Sequence, residues 1–244
     1  MRWFIVDLHI HTALSPCADD AMTPGNIVGC ALEVGLDAIA ITDHNSAKNC
    51  RAVVNTAKDT RLQVLSGLEV TSREEVHVLC IFDDPAKAER FQEVIYANLP
   101  CRKNNVSIFG SQTVFDEKGI MTGEETWLLS CACNLGLDQL AFMTRHSGGL
   151  CIPAHINRER GGLLNVLGLL PPGLAADGLE VSERYGRRPD PERHGGHALL
   201  LNSDAHRPSD IRQGRTALYV RELSVSEMRM ALKGAYGRRA VAWV

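Results

Sequence analysis

The sequence predicts an α/β fold in which strands and helices alternate to form a barrel. Two observations predict this class. Short apolar segments typical of buried strands alternate along the chain with segments of helical periodicity. Many of these apolar segments run directly into histidine, aspartate or glutamate, and the strand C-termini of such a barrel surround one mouth.

The length and composition favour one large soluble domain. The 244 residues are 45% hydrophobic, which is ample for a single core, so we expect residues 1–244 to form one domain. A formal net charge of −3 argues against a general binder of nucleic acid or anionic membranes. The apolar stretch at residues 163–176 contains two prolines and is too short to span a bilayer. We therefore expect a cytoplasmic protein with no membrane partner.

The first predicted strand ends in two histidines. It runs from Trp3 into the sequence Val6-Asp7-Leu8-His9-Ile10-His11. On an extended chain the i, i+2 spacing directs His9 and His11 to the same side. Burial gives no reason to aim two ring nitrogens at one point, whereas a metal ion does. Asp7 lies on the same strand face, where it either orients an imidazole or is a buried, backbone-bonded carboxylate.

The next elements repeat this pattern. Thr23-Pro24 begins a predicted helix that ends at Gly35, because threonine suits an N-cap and glycine a C-terminus. The apolar residues 38–42 form a second strand that runs into Asp43-His44, and a helix is expected over residues 46–58.

The third strand introduces a hairpin. Residues 64–68 run into Glu69, and a short polar turn leads to the apolar residues 76–82, with His77 at the start of that strand. The two strands are too close in sequence for a crossover, so we expect a hairpin and a sheet that is not purely parallel. A helix is expected over residues 85–98.

The second half of the chain begins irregularly. Residues 100–123 have mixed polarity and little periodicity, and we expect an excursion over the mouth or side of the barrel. Helices are predicted over residues 124–134 and 137–146. A strand over residues 150–154 then runs into His155.

The last strands complete the pattern. Residues 177–182 form a predicted strand, and residues 184–197 form a basic loop rich in glycine and proline. The apolar residues 198–203 run into Asp204-Ala205-His206. A strand over residues 216–220 and a helix over residues 225–234 close the predicted fold.

Side chains suited to metal binding collect at these strand ends. Any one histidine alone is an ordinary hydrogen-bonded residue, but the set converges on one edge. Imidazole and carboxylate donors suit zinc, manganese or iron, and their number implies two or three divalent ions. Glu69 has two carboxylate oxygens and can bridge a pair of ions. The predicted ligands are His9, His11, His44, Glu69, His77, His155, Asp204 and His206.

These motifs resemble those of the PHP (polymerase and histidinol phosphatase) family, in the family's order. The segments that carry the resemblance are Asp7-Leu8-His9-Ile10-His11-Thr12, Ile41-Thr42-Asp43-His44-Asn45, Pro153-Ala154-His155 and Ser203-Asp204-Ala205-His206. The resemblance implies a distorted (β/α)7 TIM-like barrel whose trinuclear metal centre, at the C-terminal ends of the strands, hydrolyses phosphate esters. It also implies one ion held by His9, His11, Glu69 and Asp204, a second by Glu69, His77 and His155, and a third by His44 and His206.

The sequence departs from the family pattern at one place. Members of the family usually carry an aspartate or histidine five or six residues after the second histidine, as a ligand of the third ion, and here those positions are Pro16 and Cys17. Cys17 could ligate as a thiolate, Asp19 or Asp20 could turn in from the loop, or the third site could be weak or empty. The other cysteines form no Cys-x-x-Cys pair and are expected to be reduced thiols.

The expected reaction is attack on phosphorus by a hydroxide that bridges two ions. Glu69 would hold that bridge, and Asp43 is a candidate proton donor. Guanidinium groups bind phosphate in a fork, and Arg158 and Arg184 follow two strand ends, as do Arg160 and Arg207. Their alternative role is loop solubility.

The expected substrate is a small phosphorylated metabolite or nucleotide. A nuclease is the nearest alternative, although the chain has no long basic stripe. An amidohydrolase also begins with His-x-His, but its usual metal-bridging lysine has no counterpart here. A non-catalytic metal-binding regulatory module is the alternative of another class. The sequence leaves the oligomeric state open.

Overall fold

The computed structural model describes residues 1–185, 194–212 and 216–242. The strands are β1 (Arg2–Ile10), β2 (Ala38–Ile41), β3 (Gln63–Thr71), β4 (His77–Phe82), β5 (Thr113–Phe115), β6 (Met121–Glu124), β7 (Leu150–Pro153), β8 (Leu179–Val181), β9 (Leu199–Leu201), β10 (Thr216–Val220) and β11 (Arg239–Ala242). The α-helices are α1 (Pro24–Glu33), α2 (Cys50–Ala57), α3 (Pro85–Tyr96), α4 (Val106–Phe109), α5 (Leu137–His146), α6 (Leu163–Val166) and α7 (Val225–Leu232).

The predicted α/β barrel-type fold is confirmed, in the form of a strongly curled half-barrel sheet. The strand order is β11-β10-β1-β2-β3-β4-β7, and β1, β2 and β3 are parallel to one another. The predicted hairpin is confirmed, because β4 pairs antiparallel with β3 from Thr71↔His77 onward. Strands β8 and β9 form a separate parallel pair, and the segment after β9 bonds to the end of β1, where His11 N–H donates to Ala205 O at 3.0 Å.

Apolar packing on both sides of the sheet fixes its curl. In β2 all four side chains are buried: Ala38 and Ala40 pack inside the half-barrel, whereas Ile39 and Ile41 pack against the helices. Small residues inside and larger ones outside suit a tightly curved strand. The polar residues that follow this strand therefore emerge at the edge of a well-packed core.

Most predicted helices are present. Helix α1 begins as predicted, since the Thr23 side chain accepts from Asn26 N–H at 3.3 Å, and α5 has the predicted bounds. Helix α2 begins four residues later than expected, at Cys50. The preceding Ser46 and Asn49 side chains are bonded instead to Gln92 and to the Thr113 carbonyl, which keeps that segment non-helical.

The helix predicted over residues 124–134 is wrong. The buried side chain of Gln112 binds that backbone: its Nε2 donates to Glu125 O and Trp127 O at 2.8 Å each, and its Oε1 accepts from Leu129 N–H at 2.9 Å. These bonds replace the i→i−4 bonds that a helix would need. Tertiary contacts from a neighbouring segment therefore override the local periodicity.

The excursion at residues 100–123 is more ordered than predicted. It contains α4 and the antiparallel pair β5–β6, and it covers the loop that follows β1. Thr113 N–H donates to Ala13 O at 2.8 Å, and a Cβ at Gly110 would lie 2.1 Å from Pro16 O, so only glycine fits there. Strand β11 is a further element that the sequence did not indicate. No helix in the described ranges is long and apolar enough to cross a membrane.

Candidate metal centre

The eight predicted ligands lie together at the edge of the sheet where β1, β2, β3, β7 and β9 end and β4 begins. Their donor atoms form three overlapping groups, and within each group all the atoms lie within 4.8 Å of one another. The groups are His9, His11 and Glu69, then His44, Glu69 and His77, then His11, His44 and His206. His155 and Asp204 border these groups through direct contacts with their members.

Strand β1 positions His9 and His11, and β3 positions the Glu69 carboxylate that faces them. The Nε2 atoms of His9 and His11 lie 3.1 Å apart. Oε1 of Glu69 lies 3.4 Å from His9 Nε2, and its Oε2 lies 3.4 Å from His11 Nε2. Asp204, after β9, places Oδ1 at 3.3 Å from His9 Nε2. Four donors thus face one another in a space too small for anything larger than a single ion.

Two further histidines contact the same Glu69 carboxylate. His77 Nδ1 and His155 Nε2 each lie 2.9 Å from Glu69 Oε1. His77 reaches the site although it begins β4, because β4 is antiparallel to β3 and starts where β3 ends. Glu69, which is 1% exposed, is therefore the central carboxylate of the cluster.

The backbone is strained at two of the ligand positions. His155 has a φ of 26° and Asp204 a φ of 50°, in the left-handed region that residues with side chains rarely adopt. Such conformations cost of order 1–3 kcal/mol and collect at functional sites. At both positions this backbone turns the side chain into the concave site formed by the eight predicted ligands, which we call the cup.

The residues present fit bound cations. Buried donor and acceptor atoms of the cluster lack a hydrogen-bond partner in the described part of the chain, among them His44 Nδ1 and Asp204 Oδ1. Such atoms are costly unless satisfied, and ring nitrogens that converge on carboxylate oxygens are satisfied by a metal ion. Nitrogen and oxygen donors in this mixture suit zinc, manganese or iron.

Glu180 is a site residue that the sequence analysis missed. Its carboxylate lies in the short apolar strand β8, is 1% exposed and accepts from the His155 backbone N–H at 2.8 Å. Oε2 lies 3.0 Å from His9 Nδ1, and Oε1 accepts from Asn202 Nδ2 at 2.7 Å. A charged residue inside an apolar strand was the only signal in the sequence. Glu180 orients His9 through its ring and His155 through its backbone N–H.

Ser15 and Asp7 support the pair of histidines on β1. Ser15 Oγ lies 2.9 Å from His11 Nδ1, which leaves His11 Nε2 directed into the cup. Oδ1 of Asp7 accepts from the backbone N–H groups of His9 at 3.3 Å and Ser203 at 3.1 Å. Asp7 is thus a buried, backbone-bonded carboxylate, and burial raises its pKa to about 6.

The electrostatics of the cup favour ionised carboxylates. Burial alone would raise the pKa of Glu69, but the neighbouring His77, His9 and His44 hold it well below its usual value. Burial would likewise raise the pKa of Asp204, and His9 lowers it instead. Anionic oxygens are the form in which carboxylates bind metal ions.

Cys17 reaches the cluster, whereas the two aspartates of its loop do not. Its Sγ lies 3.3 Å from His44 Nε2 and 3.2 Å from His206 Nε2. These imidazoles outweigh the effect of burial and lower the pKa of the thiol to about 6. Asp19 Oδ1 accepts from the Ala21 N–H, and Asp20 Oδ1 accepts from Ser111 Oγ, on the exposed side of the loop.

Asp43 lies beneath the cup, not in it. It is fully buried, and Oδ1 accepts from Thr12 N–H and Ser15 Oγ, each at 2.7 Å, while Oδ2 accepts from Thr12 Oγ1 at 2.8 Å. Burial raises the pKa of this carboxyl despite those bonds. Ser15 Oγ in turn accepts from the His44 N–H at 3.1 Å. Asp43 therefore ties the β1 loop to the segment that carries His44.

A cavity of about 460 Å³ opens above the metal ligands. Arg158 and Arg184 both line it, and each guanidinium pairs with a carboxylate there: Arg158 with Asp204 at 3.4 Å and Arg184 with Asp210 at 3.2 Å. The other residues of the wall include Cys17, His44, His77, His206, Arg207 and Arg212. The floor of the cavity is made of metal-binding side chains and its rim of arginines, which suits a phosphate group.

Comparison with solved structures shows the same fold in nucleases and phosphoesterases. The chain is similar to the lesion-specific endonuclease PfuEndoQ from Pyrococcus furiosus, at 22% identity and a TM-score of 0.69, covering 98% of this chain and 58% of that one. It is also similar to an endonuclease Q bound to a 27-mer duplex with an abasic lesion at the active site, at 20% identity and a TM-score of 0.71, with 98% and 58% coverage. This chain thus spans 58% of the length of those endonuclease chains.

A third structure extends the comparison. It is a two-domain protein from Bacteroides vulgatus that contains a predicted PHP-like metal-dependent phosphoesterase, at 17% identity and a TM-score of 0.55, covering 99% of this chain and 65% of that one. No curated protein is a significant match to the sequence. The family model of the PHP domain matches residues 7–147, which is more than half of the chain and includes His9, His11, His44, Glu69 and His77. The chain belongs to the PHP domain family.

Proposed function

We propose that this protein is a metal-dependent phosphoesterase that hydrolyses the phosphate ester of a small metabolite or nucleotide. One observation carries the proposal: three overlapping groups of metal-binding side chains share the floor of a cavity whose rim is lined by arginines. The floor suits two or three divalent ions and the rim suits a phosphate. The PHP family membership of the chain agrees with this chemistry.

The proposed ligand sets follow the contacts around Glu69. Its two oxygens face different neighbours, with Oε1 2.9 Å from both His77 and His155 and Oε2 3.0 Å from His44. The ligands proposed for the first ion are His9, His11, Glu69 and Asp204, and those for the second are Glu69, His77 and His155. When bound, such ions lower the pKa of water to about 7 and neutralise phosphoryl charge.

The arginines of the rim would bind and orient the phosphate. Arg158 is held 3.4 Å from Asp204, a proposed ligand of the first ion, and Arg184 is held 3.2 Å from Asp210. A positioned guanidinium presents parallel N–H donors to phosphate oxygens and stabilises the charge that develops on them. Arg158 and Arg184 are therefore our proposed substrate-binding residues.

We propose a positioning role for Asp43. Its oxygens already accept from Thr12 and Ser15, and no part of it reaches the cavity wall. A proton donor to the leaving group must lie within hydrogen-bond reach of it. Asp43 instead holds Ser15, whose hydroxyl contacts both His11 Nδ1 and the His44 N–H.

Cleavage of a nucleic acid strand is the second candidate function. The specific observation is that Arg207 and Arg212 extend the basic rim beyond the two arginines that pair with carboxylates. One monoester does not need four guanidiniums, whereas successive phosphates of a strand do. The similarity in fold to endonuclease Q points the same way, and the overall charge of −3 points against it.

Hydrolysis assays on protein purified without chelator test both candidates. The substrates are an aryl phosphate monoester, a bis-aryl diester, a mononucleotide, histidinol phosphate, single-stranded DNA and a duplex with an abasic site. Turnover of the small monoesters supports the proposal, and turnover confined to DNA supports the second candidate. Metal stripping should abolish either activity and added manganese or zinc should restore it. No turnover of any ester by metal-loaded protein would contradict both and indicate a regulatory metal-binding module.

A further inference from the structure

A sulfur atom and two imidazole nitrogens converge at the edge of the proposed centre. Cys17 Sγ lies 3.3 Å from Nε2 of His44 and 3.2 Å from Nε2 of His206. The three residues come from different segments: the loop after β1, the end of β2 and the loop after β9. All three line the cavity above the metal ligands.

The protons available do not satisfy these three atoms. His206 Nδ1 lies 2.9 Å from the Asp204 carbonyl oxygen, which only accepts, so Nδ1 carries the hydrogen and Nε2 presents a lone pair to the sulfur. His44 Nδ1 lies 3.0 Å from an anionic carboxylate oxygen of Glu69, although not in hydrogen-bond geometry. A proton on Nδ1 is attracted to that anion, which leaves His44 Nε2 to present a lone pair to the sulfur. One thiol proton cannot be shared between two lone pairs, whereas one cation between the three atoms contacts them all.

The distances fit that arrangement. With zinc–sulfur and zinc–nitrogen bonds of about 2.3 and 2.0–2.1 Å, a tetrahedral ion separates sulfur from nitrogen by roughly 3.5 Å. The observed separations of 3.2–3.3 Å are close to that edge length. His11 Nε2 also borders this space, but it lies 3.4 Å from Glu69 and Asp204, so we assign it to the first ion.

The loop that carries Cys17 is tied to the segment that carries His206. Ala18 N–H donates to Ser15 O at 2.9 Å, and Asp19 N–H donates to His206 O at 2.9 Å. These bonds flank Cys17 on the chain and fix its backbone beside His206. The acidic alternatives are engaged elsewhere, because the Asp19 and Asp20 carboxylates bond to Ala21 N–H and Ser111 Oγ.

We propose that Cys17, His44 and His206 form a third metal site in which a thiolate replaces the usual oxygen or nitrogen ligand. The site has three protein donors and an open position toward the cavity, the pattern of a catalytic zinc site. A thiolate selects zinc and similar thiophilic ions over manganese or magnesium. The third site is therefore a zinc-type site even when the other two accept manganese. This inference rests on the proposed metal centre, but not on the substrate.

Cobalt(II) titration of the chelator-treated full chain tests the proposal, because cobalt bound to a thiolate gives a near-ultraviolet charge-transfer band. We expect the wild type to bind one ion more than Cys17→Ala and to show this band, which Cys17→Ala loses. Cys17→Asp should keep the extra ion without the band. Cys101→Ser, which alters an exposed cysteine far along the chain, should behave as the wild type does.

A second measurement needs no variant. Alkylation of the wild type, followed residue by residue with mass spectrometry, should modify Cys17 in metal-free protein and be lost at Cys17 after zinc is added, with Cys101 modified in both. Equal cobalt binding and an equal band in Cys17→Ala, or alkylation of Cys17 unaffected by zinc, would overturn the thiolate site and leave the phosphoesterase proposal intact. A wild type that binds no cobalt at all would overturn both.

Discussion

Oε2 of Glu180 lies 3.0 Å from Nδ1 of His9, although 171 residues separate the two in the sequence. A carboxylate only accepts, so His9 Nδ1 carries the hydrogen and Nε2 directs its lone pair into the cup. The same carboxylate accepts from the His155 backbone N–H at 2.8 Å. Glu180 therefore positions one ligand through its ring and another through its main chain.

We expect Glu180→Gln to weaken metal binding by about 10–100-fold, the usual effect of losing a carboxylate behind a histidine ligand. An amide is uncharged, and with its oxygen in the place of Oε2 its NH2 group takes the place of Oε1, where it faces the donors Asn202 Nδ2 and His9 Nδ1. Competition against a fluorescent chelator measures the affinity. Glu159→Gln changes an exposed glutamate near His155 and is the matched control. Unchanged affinity in Glu180→Gln would show that this contact does not support the site.

His9→Ala should abolish phosphate-ester hydrolysis while the far-ultraviolet circular dichroism stays that of the wild type. The ring contacts Glu69 and Asp204 in the cup, and the apolar residues around β1 keep the fold. His146→Ala removes an exposed histidine at the end of α5 and should keep full activity. Retained turnover in His9→Ala would falsify the assignment of this ligand.

Gly161→Ala should weaken the second metal site. A Cβ at Gly161 would lie 2.8 Å from the His77 ring, and the backbone φ of +75° adds about 1–2 kcal/mol of strain for any residue with a side chain. Gly168→Ala is a matched control, since its φ is +77° and a Cβ there meets nothing within 4 Å. Both variants should lose thermal stability, but only Gly161→Ala should release an ion more readily in a chelator titration. Equal metal affinity in the two would contradict the role of Gly161.

Stability should fall at acid pH in part through Glu227. Arg238 Nη2 donates to Glu227 Oε1 at 2.6 Å, and this guanidinium lowers the pKa of Glu227 from 4.5 to about 2. Because the unfolded chain takes up this proton first, the ion pair stabilises the fold above the unfolded pKa. Its contribution is lost as the pH falls from 4.5 to about 2.

Glu227→Gln should therefore reduce the difference in unfolding free energy between neutral and acid pH. Urea unfolding of metal-free protein measures it, and Glu222→Gln, at an exposed position in the same region, is the control. An identical acid dependence in Glu227→Gln and the wild type would rule out this contribution.

The metal ligands were predictable because each lies near the end or the beginning of an apolar strand. His9 lies near the end of β1 and His11 directly after it, Glu69 lies near the end of β3, and Asp204 follows β9. Strand topology converts those separate positions into one edge, so local sequence pattern was sufficient. The hairpin of β3 and β4 was predictable for a similar local reason, the short turn before His77.

The remaining features depend on long-range partners. Glu180 lies between two buried apolar residues and looks like a strand residue until its contact with His9 is known. The predicted helix over residues 124–134 fails because Gln112, from another segment, bonds to that backbone. The spacing of Cys17 left several ligands possible, and only the folded loop distinguishes it from its neighbouring aspartates.

Elemental analysis of the native protein, purified without chelator, tests the central claim most directly. The imidazoles and carboxylates that converge on Glu69 should hold two or three transition-metal ions per chain, with zinc, manganese or iron accounting for the total. Material that is folded, pure and free of transition metal would contradict the metal centre and, with it, the proposed hydrolysis of phosphate esters.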